Sequence, residues 1–135
     1  MQTRSLVLEH PAAAPDDAAE HFAAQLAYEA DCSDVGADIA AGAGGFLVVD
    51  TRSAALYLAG HVPGAVNLPH RRITAETVAR LPPDVLLVTY CNGPHCNAST
   101  RGALRLARLG RAVKEMSGGM DGWVREGLPV ELSMG

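Results

Sequence analysis

A chain of 135 residues with 48% hydrophobic and 19% charged residues fits one globular domain, whose core needs no metal or disulfide braces. The formal net charge is -4 and Lys114 is the single lysine, so the basic surface of a nucleic-acid-binding protein is missing and neither DNA nor RNA is expected as a partner. The N-terminus has no apolar stretch of signal-peptide length, and no later stretch is long enough to span a membrane. We therefore expect a cytoplasmic protein without membrane association.

Residues 1–44 are predicted to form an N-terminal arm and a helical extension that packs on the domain. The first 14 residues lack hydrophobic periodicity, which indicates a loose arm. A helix is predicted from Pro15, with a capping box formed by Asp17 and Glu20. Its apolar stripe repeats at helical spacing in Ala18, Phe22 and Leu26. Because the stripe needs a partner surface, we expect the helix either to cover a face of the sheet or to mediate a homodimer.

Strand and helix patterns alternate along the remaining chain, which is typical of an α/β fold with a mainly parallel sheet. This domain is assigned to residues 45–132, and residues 133–135 are assigned to a C-terminal tail. The predicted strands are 46–50, 65–68, 85–90 and 112–116. The predicted helices are a short one capped by Ser33 or Asp34 and ending at Ile39, then 53–59, 74–81, 99–109 and a turn around Trp123.

A cysteine follows the most apolar of these strands. The run from Val85 to Tyr90 lacks alternation, which indicates a strand buried on both faces at the sheet centre, and Cys91 comes directly after it. Ligand sites of open α/β sheets lie at that edge, and the N-terminus of the following helix favours anions. Such a position lowers the pKa of a thiol from about 8.5, so Cys91 is predicted to be a thiolate nucleophile. The loop amides that hold a thiolate would also hold a persulfide, so no metal or organic cofactor is required.

The six residues after Cys91 are predicted to form a substrate-binding loop: Asn92, Gly93, Pro94, His95, Cys96 and Asn97. Gly93 allows the backbone to approach the sulfur. Pro94 stiffens the loop but removes one backbone N–H donor. His95 is interpreted either as a donor and proton carrier for an incoming anion or as an exposed loop residue. Cys96 either attacks a Cys91 persulfide, forms a reversible disulfide with Cys91 or only fills space. A simpler alternative is that Cys91 is only a small buried hydrophobic residue.

Four ordered motifs of the chain resemble the rhodanese homology domain family. They are Asp50-Thr51-Arg52, the run Gly60-His61-Val62-Pro63-Gly64-Ala65-Val66-Asn67-Leu68-Pro69, Tyr90-Cys91 with its glycine-bearing loop, and Gly118-Gly119-Met120-Asp121-Gly122-Trp123. The resemblance implies a five-stranded parallel sheet flanked by helices. It also implies that Cys91 accepts sulfur from a donor and passes it to a nucleophilic acceptor.

The loop departs from the commonest rhodanese pattern. It is about two residues longer, and His95 stands where an arginine or lysine often helps to hold thiosulfate. The longer loop is similar to that of phosphatase relatives, which place an arginine six positions after the nucleophile. Here that position is Asn97, which disfavours phosphate-ester hydrolysis.

Other polar residues carry two interpretations. Arg52 either binds anionic substrate at the mouth of the site or forms an internal network with Asp50. The stripe of Arg101, Arg105 and Arg108 is interpreted as a solvated helix face. His61 and Trp123 are expected to have structural roles, and Cys32 to be a packed thiol.

The leading hypothesis is a sulfurtransferase. Cys91 would take sulfane sulfur from thiosulfate or another small-molecule donor, keep it as a persulfide and yield it to cyanide, a thiol or a protein acceptor. The competing hypothesis is a non-enzymatic rhodanese-like binding module, or a thiol/disulfide redox sensor that uses Cys91 and Cys96.

Overall fold

The protein is described by a computed structural model that covers residues 4–133. Its strands are β1 (Glu29–Ala30), β2 (Phe46–Asp50), β3 (Val66–Asn67), β4 (Leu86–Tyr90) and β5 (Val113–Met116). Its helices are α1 (Pro15–Tyr28), α2 (Cys32–Ala40), α3 (Ala54–Ala59), α4 (Ala75–Val78), α5 (Ala98–Arg108) and α6 (Gly119–Arg125), with a 3-10 turn at His70–Arg72. The strands form one parallel sheet in the order β1-β5-β4-β2-β3. The prediction of a five-stranded parallel sheet flanked by helices is confirmed.

The central position of β4 explains why its sequence does not alternate. Both faces of the strand are covered, because Val88 joins a core cluster with Trp123 on one face and Leu87 joins a cluster with Leu106 on the other. Leu87 is fully buried and Val88 is 2% exposed. A strand buried in this way places the residue that follows it, Cys91, at the middle of the sheet edge.

A close approach fixes α5 against the end of β2. A Cβ atom at Gly102 would lie 2.9 Å from Cγ2 of Thr51 and 3.2 Å from Cδ1 of Ile73, so only glycine fits there without displacing these side chains. The hydroxyl of Thr89 adds a 3.0 Å hydrogen bond to the carbonyl oxygen of Ser99. These contacts hold the N-terminal turn of α5 beside the carboxyl ends of β2 and β4.

The N-terminal extension differs from its prediction in two ways. The helix α1 begins at Pro15 as expected, but its N-cap is Ala14 and no side-chain capping bond forms within the described residues 4–133. The stripe is not covered, since Phe22 is 58% and Leu26 is 72% exposed. The capping-box prediction is therefore wrong, and the expected burial of the stripe is not seen within this chain.

The segment after α1 belongs to the core. The two-residue strand β1, which the sequence did not predict, pairs with β5 at the sheet edge. The following helix α2 is capped by Asp31, whose carboxylate accepts a 2.7 Å bond from the N–H of Asp34, not by Ser33 or Asp34. Cys32 is 3% exposed, as expected for a packed thiol. Burial raises the pKa of Cys32 to about 11, with the charges of Glu126 and Asp31 acting in the same direction.

None of the helices within residues 4–133 combines the length and the apolar character that crossing a bilayer requires.

Candidate active site

The loop after Cys91 is clamped by the start of α6. The carbonyl oxygen of Cys91 accepts a 2.8 Å bond from the N–H of Met120, and that of Asn92 accepts a 2.7 Å bond from the N–H of Asp121. Gly119 makes this docking possible, because its φ is +61° and a Cβ there would lie 2.6 Å from the Cys91 oxygen. The paired glycines of the fourth sequence motif thus set the position of the loop.

Polar groups surround the sulfur of Cys91 even though the residue is only 1% exposed. Its Sγ lies 3.3 Å from the carbonyl oxygen of Cys96, 3.5 Å from Oγ of Ser99 and 3.9 Å from the carbonyl oxygen of Gly93. The backbone N–H of Ser99 also donates to it. The sulfur is therefore buried in a polar site at the beginning of a helix, which distinguishes it from a cysteine that only fills apolar space.

The protonation of Cys91 differs from the sequence-based expectation. Burial raises the pKa of the Cys91 thiol, and the neighbouring Cys96 raises it further, while the contacts with the hydroxyl and the backbone N–H of Ser99 act to lower it. The expected lowering is not found, because desolvation of the charged form outweighs the helix N-terminus. The raised pKa favours the thiol form of Cys91, which can donate its proton to a neighbouring oxygen.

The loop amides converge on the other thiol of the loop. Burial acts to raise the pKa of Cys96, but the N–H of Ala98, the thiol of Cys91 and the N–H of Asn92 outweigh it, so the pKa of Cys96 is lowered. A 3.0 Å bond from the N–H of Cys96 to the carbonyl oxygen of Gly93 folds the loop back over Cys91. All three cysteines lie within residues 4–133 and are free thiols. The Cys91 sulfur contacts the backbone of Cys96, which the spacing of the two cysteines in the chain did not establish.

A carboxylate next to Cys91 was not identified from the sequence. The hydroxyls of Ser99 and Thr100 donate bonds of 2.7 and 2.6 Å to the same oxygen of Glu115, on β5. Since the one hydroxyl hydrogen of Ser99 is used in this bond, its oxygen can accept the thiol proton of Cys91. The available signals were two adjacent hydroxyl residues at the start of a helix and an acidic residue in the last strand.

His95 and Asp121 flank the outer side of the loop. Nε2 of His95 lies 3.8 Å from Oδ2 of Asp121, and their side chains are 68% and 54% exposed. A Cβ atom at Gly93 would lie 3.0 Å from the Asp121 carboxylate and 3.1 Å from the His95 ring, so glycine leaves room for both. Pro94 and Asn97 are exposed. Gly93 and Cys96 of the predicted loop contact the Cys91 sulfur and Asp121 flanks the loop, while a substrate-binding role for the six loop residues stays a prediction.

Arg52 is engaged in an internal network. The residue is 8% exposed, and its Nη2 donates 2.7 Å bonds to Oδ2 of Asp50 and to the carbonyl oxygen of Gly60. The hydroxyl of Tyr90 donates a 2.8 Å bond to the same carboxylate oxygen. These contacts agree with the internal-network interpretation, and a substrate-binding role for Arg52 stays a prediction.

Part of the arginine stripe joins a basic cluster. Nη1 of Arg105 donates a 2.9 Å bond to the carbonyl oxygen of His70, in the 3-10 turn beside α5. Burial lowers the pKa of His70, and the charges of Arg71, Arg105 and Arg101 lower it further. Positive charge is thus concentrated on α5 and on the 3-10 turn beside it, although the chain is acidic as a whole.

Two landmark residues are structural, as expected. The Nδ1 atom of His61 lies 2.8 Å from the carbonyl oxygen of Tyr57, and the two rings stack with centroids 3.8 Å apart. The indole N–H of Trp123 donates a 2.7 Å bond to the carbonyl oxygen of Pro129, and the residue is 1% exposed.

Comparison with known proteins agrees with the geometry. The family model described as "Rhodanese-like domain" matches residues 36–126. A solved protein from Bacillus halodurans is 39% identical with a TM-score of 0.85, over 88% of this chain and 87% of that one. A thiosulfate sulfurtransferase from Pseudomonas aeruginosa is 28% identical with a TM-score of 0.67, over 79% of this chain and 20% of that one.

A curated relative has a different printed role. An HTH-type transcriptional regulator from Mycobacterium tuberculosis is 42% identical over 90 residues, which are 66% of this chain. The match spans 39% of that relative, well under two thirds of its length. Since the family model covers more than half of the chain, the chain belongs to the rhodanese-like domain family.

Proposed function

We propose that this protein is a sulfurtransferase that accepts sulfane sulfur as a persulfide on Cys91 and transfers it to a nucleophilic acceptor. One observation carries the proposal: the Cys91 sulfur lies at the carboxyl end of the central strand, beside the N–H and the hydroxyl of Ser99. Membership of the rhodanese-like family and the likeness to a thiosulfate sulfurtransferase support it.

In the first step the thiolate of Cys91 attacks the outer sulfur of a donor such as thiosulfate. A Cys91–sulfur bond forms, the S–S bond of thiosulfate breaks, and sulfite leaves with the electron pair. Ser99 and Glu115 offer a route for the thiol proton of Cys91. The Cys91 sulfur lies 3.5 Å from the hydroxyl oxygen of Ser99, which lies 2.7 Å from the carboxylate of Glu115. The basic cluster beside α5 favours the approach of an anionic donor.

In the second step an acceptor takes the outer sulfur. Cyanide attacks it, a carbon–sulfur bond forms, and Cys91 leaves as the thiolate while thiocyanate is released. A thiol or a protein cysteine accepts sulfur in the same way. The proposal requires no metal or organic cofactor, and it places the reaction in the cytoplasm with a small-molecule donor.

The test is thiocyanate formation from thiosulfate and cyanide, together with the intact mass soon after donor is added. The native chain is expected to form thiocyanate and to gain the mass of one sulfur atom. Cys91→Ser is expected to abolish both, and Cys32→Ser, which changes a thiol in the core, is expected to retain both. Thiocyanate formation by Cys91→Ser at the native rate would overturn the assignment of Cys91.

A redox sensor is the second candidate, because the Cys91 sulfur lies 3.3 Å from the carbonyl oxygen of Cys96 and the fold thus brings the two loop cysteines together. The likeness of this chain to part of a transcriptional regulator is compatible with a regulatory role. A sensor is expected to form a reversible Cys91–Cys96 disulfide under mild oxidant and to transfer no sulfur to cyanide, whereas a binding module would do neither.

A further inference from the structure

The two thiols of the active-site loop occupy different positions. The Cys91 side chain is buried beneath the loop, with its sulfur 3.3 Å from the carbonyl oxygen of Cys96. The Cys96 side chain is only half-buried, and its backbone N–H donates a 3.0 Å bond to the carbonyl oxygen of Gly93. This bond folds the loop back over Cys91 and brings the backbone of Cys96 against the Cys91 sulfur.

The two thiols differ in acidity. Burial raises the pKa of Cys91, whereas at the less buried Cys96 the hydrogen bonds outweigh burial and the pKa is lowered. In thiol–disulfide exchange the thiolate is the attacking species, and the bond it attacks is between two sulfurs. A persulfide on Cys91 would present such a bond next to Cys96.

We propose that Cys96 resolves the Cys91 persulfide, so that hydrosulfide is released and the protein is left with a Cys91–Cys96 disulfide. This inference rests on the proposed function, since Cys91 must first accept a sulfur atom. It adds an activity to group transfer, namely the reduction of sulfane sulfur to hydrosulfide.

The step balances without an outside oxidant. Cys96 loses its thiol proton and its thiolate attacks the inner sulfur of the persulfide, so that an S–S bond forms between the cysteines and the S–S bond of the persulfide breaks. The outer sulfur leaves with the electron pair and takes the thiol proton of Cys96, so Cys91–S–S⁻ and HS–Cys96 give the disulfide and HS⁻. In this step the Cys96 sulfur is oxidised and the outer sulfur is reduced, while the Cys91 sulfur stays bonded to one other sulfur throughout. A small-molecule or protein dithiol then reduces the disulfide and restores both thiols.

The test is a single-turnover time course with thiosulfate and no added thiol. The full-length native chain is expected to release about one hydrosulfide per chain as sulfur is loaded, by the stoichiometry of the balanced step. Its final mass is expected to be two hydrogens below the starting mass, with a Cys91–Cys96 disulfide in non-reducing peptide analysis. Cys96→Ser is expected to retain the added sulfur on Cys91 and to release hydrosulfide only when a dithiol is supplied. Cys32→Ser serves as the matched control and is expected to behave as the native chain.

The outcomes separate this inference from the function on which it rests. A native chain that keeps the added sulfur, or hydrosulfide release by Cys96→Ser at the native rate, would overturn the resolving role while leaving sulfur transfer intact. Sulfur found on Cys96 in place of a disulfide would also overturn it. If no variant gains sulfur and no thiocyanate forms, the proposed function itself fails.

Discussion

The hydroxyl of Ser99 donates a 2.7 Å hydrogen bond to the carboxylate of Glu115, which lies 16 residues further along the chain. The bond fixes the direction of the hydroxyl hydrogen and leaves the oxygen, 3.5 Å from the Cys91 sulfur, as an acceptor for the thiol proton. Glu115 is thereby placed to influence Cys91 without contacting it.

Replacing Glu115 with glutamine is expected to slow sulfur loading at neutral pH by about tenfold or more, because an amide cannot accept the proton passed through Ser99. The measurement is the rate of persulfide formation as a function of pH, and the profile of the variant should rise at higher pH than the native one. The control is Glu29→Gln, which removes the same charge from the residue paired with Glu115 on the neighbouring strand. Superimposable profiles for Glu115→Gln and the native chain would show that Glu115 has only a structural role.

The pH dependence of Cys91 is expected to change when Cys96 is removed. The hydrogen bond and charge of Cys96 raise the pKa of Cys91, so Cys96→Ser should lower that pKa and shift Cys91 alkylation to lower pH. Alkylation followed by peptide mass analysis across a pH series measures the shift. In the native chain Cys96 should react at the lowest pH, and Cys32, with a pKa of about 11, at the highest. An unchanged Cys91 profile in Cys96→Ser would contradict the interaction between the thiols.

Gly119→Ala is expected to displace the active-site loop. The left-handed backbone costs about 1–3 kcal/mol for a residue with a side chain. The added Cβ would also lie 2.6 Å from the Cys91 oxygen and 2.7 Å from the Gly93 nitrogen. Chemical denaturation and loading rates should both reveal the defect. The matched control is Gly127→Ala, with φ +70° and no heavy atom of the described chain within 4 Å of the added Cβ. Gly127→Ala should lower the free energy of unfolding without slowing sulfur loading. Equal loading rates in Gly119→Ala and Gly127→Ala would contradict the role of Gly119 in positioning the loop.

Arg52→Ala is expected to destabilise the fold by about 3–5 kcal/mol, because it leaves the buried carboxylate of Asp50 without its cation. The exposed pair Glu76–Arg80 provides the control, since its 3.5 Å contact joins side chains that are 84% and 74% exposed. Arg80→Ala should therefore cost less than about 1 kcal/mol. Urea denaturation measures both. A stable Arg52→Ala variant with a raised KM for thiosulfate would instead favour the substrate-binding interpretation.

The sequence predicted the central part of the sheet well because burial leaves a clear pattern there. The apolar run before Cys91 identified β4, and Phe46–Asp50 was predicted with the bounds that β2 has. The strand β1 was missed, since Glu29 and Ala30 form only two residues of edge strand and carry no periodicity. The stripe of α1 shows the opposite case, in which helical spacing is present but the partner surface is not part of the chain's own core.

The sequence predicted which loop carries the candidate site, but not the contacts that its residues make. The position of Cys91 after a buried strand could be identified from chain order alone. The bond between Ser99 and Glu115 depends on how α5 is oriented over β5, which no local pattern encodes. The direction in which the pKa of Cys91 shifts depends on how deeply the loop covers its sulfur. That burial is set by the folded structure and cannot be read from the local sequence.

The docking of Gly119, Met120 and Asp121 on the backbone of Cys91 and Asn92 also has a consequence for biosynthesis. The ribosome produces the reactive cysteine well before the helix that holds its loop in place. An incomplete chain that stops before Gly119 would carry both loop thiols without the geometry that distinguishes them. We therefore expect the loop to reach its folded geometry only after α6 has been synthesised.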